Sequence, residues 1–264
     1  AATLTSRVFD EPVEVAYRWV PALQLDIVLR VDVLTWLMML IVGGVGALVL
    51  VYSARYFARD AQGLGRFGGL FLGFAGAMLG VVMADQTMTL YVFWELTSVL
   101  SYLLIGFHHS RQPARSAARQ AILITGAAAL GMFGGFVILG NVRGGSFRIS
   151  QLISNLQAGT LDATSPLVIV AAVLILYGAL AKSAQVPFHF WLPGAMAAPT
   201  PVSAYLHAAA MVKAGVYLVA RLTPGFALVP LWSQLAVGFG LVTMIVGAYR
   251  ALRQRDLKLV LAYG

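Results

Sequence analysis

The sequence predicts an all-α fold, a polytopic bundle of transmembrane helices, and three observations carry that prediction. Of 264 residues, 60% are hydrophobic and 11% are charged, with a mean hydropathy of +0.84; a soluble domain carries roughly 25% charged residues. The apolar residues gather into runs of about 20, the length that crosses a bilayer as a helix. The 18 basic residues, all but three of them arginine, sit mostly in the short loops between those runs, where the positive-inside bias places them.

The same composition excludes several functions. Cysteine is absent, which removes disulfides, thiol catalysis and cysteine-ligated metals or iron–sulfur clusters. The net charge of +8 belongs to the loops, and no basic patch interleaved with aromatics stands apart from the membrane runs, so nucleic acid is not an expected partner. No cofactor and no metal are expected either.

Residues 1–30 are polar, lack the basic-then-apolar order of a signal peptide, and read as an extracytoplasmic segment. Residues 31–54 form the first span, with Asp32 at its mouth. Phe67 to Ala84 follows and then, past the polar break Asp85-Gln86, Thr87 to Phe107. Arg119 to Gly140 is the fourth span. In the next loop SFRISQLISNLQ (Ser146 to Gln157) carries apolar residues at helical spacing and reads as a short interfacial helix. Pro166 to Phe190 is the fifth span, interrupted near Lys182–Pro187; Thr200 to Arg221 is the sixth and Ala227 to Arg250 the seventh. An eighth opens near Asp256, and because DLKLVLAYG stops inside an apolar run the chain reads as a fragment. The glycines of GGVGALVL and GAAALGMFGG are expected at close helix–helix contacts.

Orientation comes from the loop cations. Arg55, Arg59, Arg66, Arg111, Arg115, Arg119, Arg250, Arg253, Arg255 and Lys258 fall on one side, ten in all; Arg7, Arg18, Arg30, Arg143, Arg148 and Arg221 fall on the other, six in all, beside Asp10, Glu11, Glu14 and Asp26. The richer side should be cytoplasmic, which puts residue 1 outside a multi-pass protein of the cell membrane, here a bacterial inner membrane. The count alternates only if Pro166–Phe190 crosses once, break included.

Ionisable groups inside the runs are functional-site candidates, since a charge at mid-membrane costs about 2.5–3.5 kcal/mol on insertion scales. Two of the three lysines, Lys182 and Lys213, lie there, whereas the loops use arginine almost throughout. Arginine does not lose its proton in proteins and lysine can, so the choice points to a titratable cation. Glu95, halfway along TMTLYVFWELTSVLSYLLIGF, must be neutral or paired; it could also be a packing residue satisfied by Thr97, Ser98 or another helix's backbone. Pro187, five residues beyond Lys182, removes a backbone donor and clashes with the preceding turn, so the helix should break at about Lys182–Ser183. Carbonyls freed at membrane depth face protein or water, which would admit water to Lys182; a lysine snorkelling from a helix end is the alternative. His207 and Lys213, on one helix, would stand roughly 9 Å apart along the axis and some 120° apart around it, successive stations rather than a metal site. His189 is a weaker candidate, and Asp85 is read as interfacial, a secondary candidate only.

YVFWELTS (Tyr91 to Ser98), SYLLIGF (Ser101 to Phe107), KSAQVPFHFWLPGAM with APTPVSAYLHAAAMVKAGVYLVAR, and RDLKLVLAY together resemble the proton-translocating antiporter-like membrane proteins. That family comprises the A subunit of the Mrp-type multisubunit sodium/proton antiporters and the large antiporter-like subunits of respiratory complex I, and FWELTS, PFHFWLPGAM and Lys213 in MVKAGVYL look closer to the Mrp protein. The motifs run from about Arg55 to the end of the chain. The resemblance implies two inverted five-helix repeats, each with a broken helix: residues 67–221 would be the first repeat and 227–264 the truncated start of the second. It further implies that Glu95 pairs with Lys182 and that protons continue through water to His207 and Lys213, whereas the exit-side group of the second repeat has no counterpart here.

The expected function is a proton-translocating subunit of a multisubunit sodium/proton antiporter, a secondary transporter rather than an enzyme. Its partners are other subunits of a membrane complex, protons, sodium and the lipid bilayer. The alternative is a proton-pumping subunit of a complex I or hydrogenase-type redox complex; a third is a membrane scaffold with no ion path.

Overall fold

The computed structural model describes residues 11–20, 25–58, 63–208 and 210–264. Of the groups in the charge count, Arg7, Asp10 and Arg59 lie outside the described residues. The chain opens with a hairpin, β1 (Val13–Val20) and β2 (Leu25–Val31), and continues with α1 (Val33–Tyr56), α2 (Leu64–Met83), α3 (Thr87–Ile105), α4 (Gln112–Asn141) and the short α5 (Ile149–Gln157). Then come α6 (Pro166–Lys182), a single 3₁₀ turn (Phe188–Phe190), α7 (Trp191–Ala195), α8 (Thr200–Ala208), α9 (Met211–Phe226), α10 (Trp232–Ala251) and α11 (Leu257–Tyr263).

Six of these elements are long and apolar enough to cross a membrane, counting α8 and α9 as one run from Thr200 to Phe226. The seventh expected span is α6, which stops at 17 residues because it ends on Lys182. Several helices start where the sequence supplies a start. Asp32 caps α1 by accepting from the Thr35 N–H at 3.0 Å, and prolines open the first turns of α4 and α6, where the missing N–H has no helical partner to lose. In α5, Ile149, Leu152 and Leu156 are buried, one apolar stripe at helical spacing.

Cross-links at the two ends show how the broken region is threaded. Thr200 Oγ1, at the start of α8, lies 3.5 Å from Tyr56 Oη at the C-terminal end of α1. Arg221, late in α9, instead pairs with Asp32 at the N-terminal end of α1. The α8–α9 run therefore extends from the Tyr56 end of α1 to its Asp32 end.

Helix α6 occupies the middle. Gly135 of α4 faces it so closely that a Cβ there would stand 2.7 Å from the Ala171 carbonyl, and Gly178 of α6 would put a Cβ 2.6 Å from that of Met132. These are small-residue approaches of the kind that membrane helices use. The expectation for the glycine-rich stretches holds for part of them: Gly46 meets Tyr205 and Gly131 meets Tyr177, whereas Gly43, Gly44, Gly126 and Gly134 meet nothing within 4 Å. Glycine placed on the outward face of a helix has no neighbour to approach.

Within the polar segment 1–30 the described residues form a hairpin that the sequence reading did not specify. Val13 pairs with Val31 and Glu14 with Arg30, the latter through a 3.0 Å ion pair. Asp85 N–H donates to the Val28 carbonyl at 2.9 Å, tying the strand to the break between α2 and α3. Asp85 is fully buried and satisfied: its carboxylate accepts from Ser150 N (3.1 Å) and Ser150 Oγ (2.6 Å) and lies 3.4 Å from Arg148 and 3.6 Å from Arg221. Arg148 also bonds Glu14 at 2.8 Å. Glu14, Arg30, Asp32, Asp85, Arg148 and Arg221 thus form one alternating network that clasps the hairpin and α5 onto the ends of α1, α3 and α9. Burial pushes the Asp32 carboxyl up, but the Thr35 N–H and the Arg221 guanidinium outweigh it and hold it below the usual 3.8.

A carboxylate held below its unfolded value stabilises the fold above that value, and the contribution is lost as pH falls through the lowered one. Thermal unfolding in detergent should therefore be level from about pH 5 to 8 and fall below pH 3.8. Asp32→Asn should start lower and show a shallower acid fall; an acid fall as steep as wild type would exclude Asp32 from it.

Candidate functional site

The site forms where α6 ends. Ser183 leaves the helix at φ −82°, ψ 8°, and Ala184 enters the left-handed region at φ 52°, a conformation that costs a residue with a Cβ about 1–2 kcal/mol. The chain can hold it because the freed carbonyls find partners in the protein. Ser183 N–H donates to the Ala179 carbonyl at 3.0 Å, Gln185 N–H to the Leu180 carbonyl at 2.9 Å, and Trp191 Nε1–H to the Ala181 carbonyl at 3.0 Å. Protein donors thus take the Ala179, Leu180 and Ala181 carbonyls. A cavity of about 40 Å³, room for about one water, lies beyond Lys182, against Ala184, Val186 and His189.

Lys182 is fully buried. Its ammonium donates to the Trp94 carbonyl at 2.7 Å, to Thr97 Oγ1 at 2.6 Å and to Ser98 Oγ at 2.9 Å, which uses all three of its donors. The Trp94 ring lies 4.7 Å from Nζ, within reach of a cation–π attraction. The lysine also stands in the last turn of α6, where the helix dipole favours a cation. Thr97 and Ser98 in turn donate their hydroxyl hydrogens to the Trp94 carbonyl, at 2.7 and 3.3 Å. One turn of α3 therefore receives the whole charge with neutral oxygens.

Glu95 rides on that same turn, half-buried, with Oε1 shielded and without a hydrogen-bonding partner. It and Lys182 interact electrostatically, yet among the described residues no ion pair within 4.0 Å joins them. The Thr97 and Ser98 hydroxyls, named as partners in the packing alternative for Glu95, are engaged with Lys182 and the Trp94 carbonyl.

The structure changes the relation of His207 to Lys213. Helix α8 closes at Ala208 and α9 opens at Met211, with Ala210 at φ −126°, ψ −89°; Ala209 lies outside the described residues. The axial distance and angle of an unbroken helix do not apply. The Val212 carbonyl, in the first turn of α9, accepts from Ser183 Oγ at 2.8 Å, so the two breaks are bonded to one another. His207 sits at the end of α8 with both ring nitrogens buried and unpartnered. Lys213, in the first turn of α9, is exposed on the chain's surface, on the outward stripe with Val216 and Ala220, rather than facing Lys182. His189 lies in the 3₁₀ turn, both ring nitrogens again buried and unpartnered. Asp85 stands apart, in the charged clasp.

Sequence reasoning missed the acceptors. Thr97 and Ser98 follow Trp94 at three and four residues, the spacing at which a hydroxyl reaches back to its own helix's carbonyl. That pattern was legible; that a lysine from another helix completes it was not. Trp191, the donor that closes α6, is announced by nothing in its local sequence.

Residues 84–264 match the family described as NADH:quinone oxidoreductase/Mrp antiporter, transmembrane, and residues 19–68 match NADH-ubiquinone oxidoreductase (complex I), chain 5 N-terminus. The A subunit of the Na(+)/H(+) antiporter of Alkalihalophilus pseudofirmus is 48% identical over 251 residues, 95% of this chain and 31% of that protein. The Mrp complex from Dietzia sp. DQ12-45-1b superposes with a TM-score of 0.88 at 40% identity, over 96% of this chain and 27% of that one. An archaeal membrane-bound sulfane sulfur reductase shares the fold, with a TM-score of 0.84 at 23% identity over 99% of this chain and 53% of that one. The chain thus spans about a third of the curated relative it matches. By the match over residues 84–264 and the helices it comprises, the chain belongs to the NADH:quinone oxidoreductase/Mrp antiporter family of membrane proteins.

Proposed function

We propose that this chain forms a proton-relay unit within the A subunit of a multisubunit cation/proton antiporter, exchanging protons for sodium together with partner subunits in the cell membrane. One observation carries the reading: a fully buried lysine whose three N–H groups all end on one turn of the helix that also bears Glu95.

That turn can hold either state of the lysine. Loaded, the ammonium donates to Trp94 O, Thr97 Oγ1 and Ser98 Oγ. Unloaded, the amine needs a donor, and a hydroxyl that now points at the Trp94 carbonyl can rotate to supply one, because hydroxyls both donate and accept. Neither state strands a buried polar atom, which would cost about 1–3 kcal/mol. Glu95, one residue beyond Trp94, biases the lysine toward the loaded state when ionised and releases it when neutral. His207 is the next station, its ring nitrogens free to take and pass a proton, and Lys213 delivers outward to protein beyond this unit. On this reading α2, α3, α4, the broken α6–α7 and the α8–α9 run are the five helices of the first repeat, residues 67–221, and residues 227–264 begin the next. The charged clasp marks the outer side, with residue 1 outside, in keeping with the distribution of loop cations.

A redox-driven complex is the second reading, favoured by the family itself, which takes in both kinds of protein. Subunits that co-purify decide between them: small antiporter subunits support exchange, whereas quinone and iron–sulfur subunits support the redox complex.

In the full-length protein within its complex, Glu95→Ala and Lys182→Ala should each abolish sodium-dependent proton movement in everted vesicles. Thr97→Val and Ser98→Ala, each removing one hydrogen bond to a charged group worth about 1.5–3 kcal/mol, should slow it roughly ten- to a hundred-fold. Intact exchange in Glu95→Ala and Lys182→Ala would refute the relay.

A further inference from the structure

Residues 183–199 join the helix that ends at Lys182 to the helix that carries His207. Pro187, Pro193 and Pro199 deprive them of three backbone donors, and their regular structure is a three-residue turn and the five residues of α7. The segment therefore has limited means of fixing its own shape, yet its shape sets where the two relay groups stand.

Two side chains from the following helices hold it near its ends. The Val186 N–H, past the end of α6 and just before Pro187, donates to Thr243 Oγ1 of α10 at 2.9 Å. The Thr243 hydroxyl donates to the Phe239 carbonyl of its own helix at 2.6 Å, which turns a lone pair toward the break. A hydroxyl can make both bonds at once. Farther along, the Ala198 carbonyl, just before Pro199, accepts from Lys258 Nζ of α11 at 3.2 Å. Asp256 caps α11 by accepting from the Lys258 N–H at 2.8 Å, which fixes the base of the lysine's stem. The two helices are themselves in close contact here, since a Cβ on Gly247 would stand 2.7 Å from the Tyr263 carbonyl. Thr243, Gly247 and Tyr263 form one wall of the water-sized cavity, and Ala184, Val186 and His189 form the other. The charged and titratable neighbours include Asp256 and Tyr56 near Lys258, and Arg250 and Tyr263 near His189.

We propose that Thr243 and Lys258 are positioning residues for the relay: by holding Val186 and Ala198 they set the placement of Lys182 relative to His207, and so link α10 and α11 to the loading of Lys182. This inference rests on the relay reading above. A tie that serves folding alone would change how much complex assembles and leave the behaviour of each assembled complex untouched.

The test uses the full-length protein in its complex, with Thr243→Val (shape kept, acceptor lost), Thr243→Ala, Lys258→Met (stem kept, ammonium lost) and the conservative Thr243→Ser and Lys258→Arg, beside Lys182→Ala. Assembled complex and sodium-dependent proton exchange across pH are measured on the same vesicles. Exchange per assembled complex should fall roughly five-fold, the scale of one lost hydrogen bond, with a displaced pH profile, in the Thr243 removals and in Lys258→Met. Thr243→Ser and Lys258→Arg should restore both. Wild-type rate and pH profile per complex, or a loss that only follows the amount assembled, would overturn the inference. So would failure of both Thr243 removals to assemble while Lys258→Met behaves as wild type. Lys182→Ala separates the levels: if it exchanges normally the relay itself has failed, and if it is dead while the tie variants are normal, only this inference has.

Discussion

The structure depends on one buried ammonium and the turn that receives it. Moving Lys182 out of water is costly unless its hydrogen bonds are replaced, and Trp94, Thr97 and Ser98 replace all three. The requirement fixes α3 against the end of α6. A helix that continued past Lys182 would carry the chain straight on, whereas the turn through Ser183 and Ala184 lets Trp191 fold back and close the Ala181 carbonyl. Ser183 then bonds Val212, so the interruption in α6 is coupled to the interruption that separates His207 from Lys213.

The two ends of the bundle solve different problems. At the hairpin end, charge is matched to charge: three acids, Asp85 among them, alternate with three arginines, and the hairpin is held by that network. At the end of α6, charge is matched to neutral oxygens, and no ion pair within 4.0 Å joins Glu95 to Lys182 among the described residues. A fixed ion pair at Lys182 would favour one protonation state strongly. On the proposed relay, a shell of hydroxyls and a carbonyl, with the acid one residue along the helix, leaves both states within reach.

Much of this was legible in the sequence, and the limits have physical causes. The spans follow from apolar length, and the end of α6 follows from Pro187, because a missing N–H and a ring clash act locally. Residues 149–157 form a helix because their apolar spacing is local as well. The hairpin was hidden: the alternation in Val13–Val20 is interrupted by Ala16, and the two strands are held by residues distant in sequence, Arg148 on Glu14 and Asp85 on Val28. The second interruption was hidden more deeply, since HAAAMVKAG has no proline before Lys213 and the Val212 carbonyl is taken up by another helix. The chemistry of Lys182, Glu95 and His207 could be nominated from the cost of burial alone. The outward face of Lys213 could not, because the side a helical residue presents depends on what packs around it.

The central claim is that Lys182 must gain and lose a proton, not merely carry a charge. Lys182→Arg in the full-length complex tests it most directly, since arginine keeps the cation and does not deprotonate in proteins. The account predicts a complex that assembles at wild-type levels and shows no sodium-dependent proton exchange in everted vesicles. Exchange at the wild-type rate with arginine at this position would contradict it.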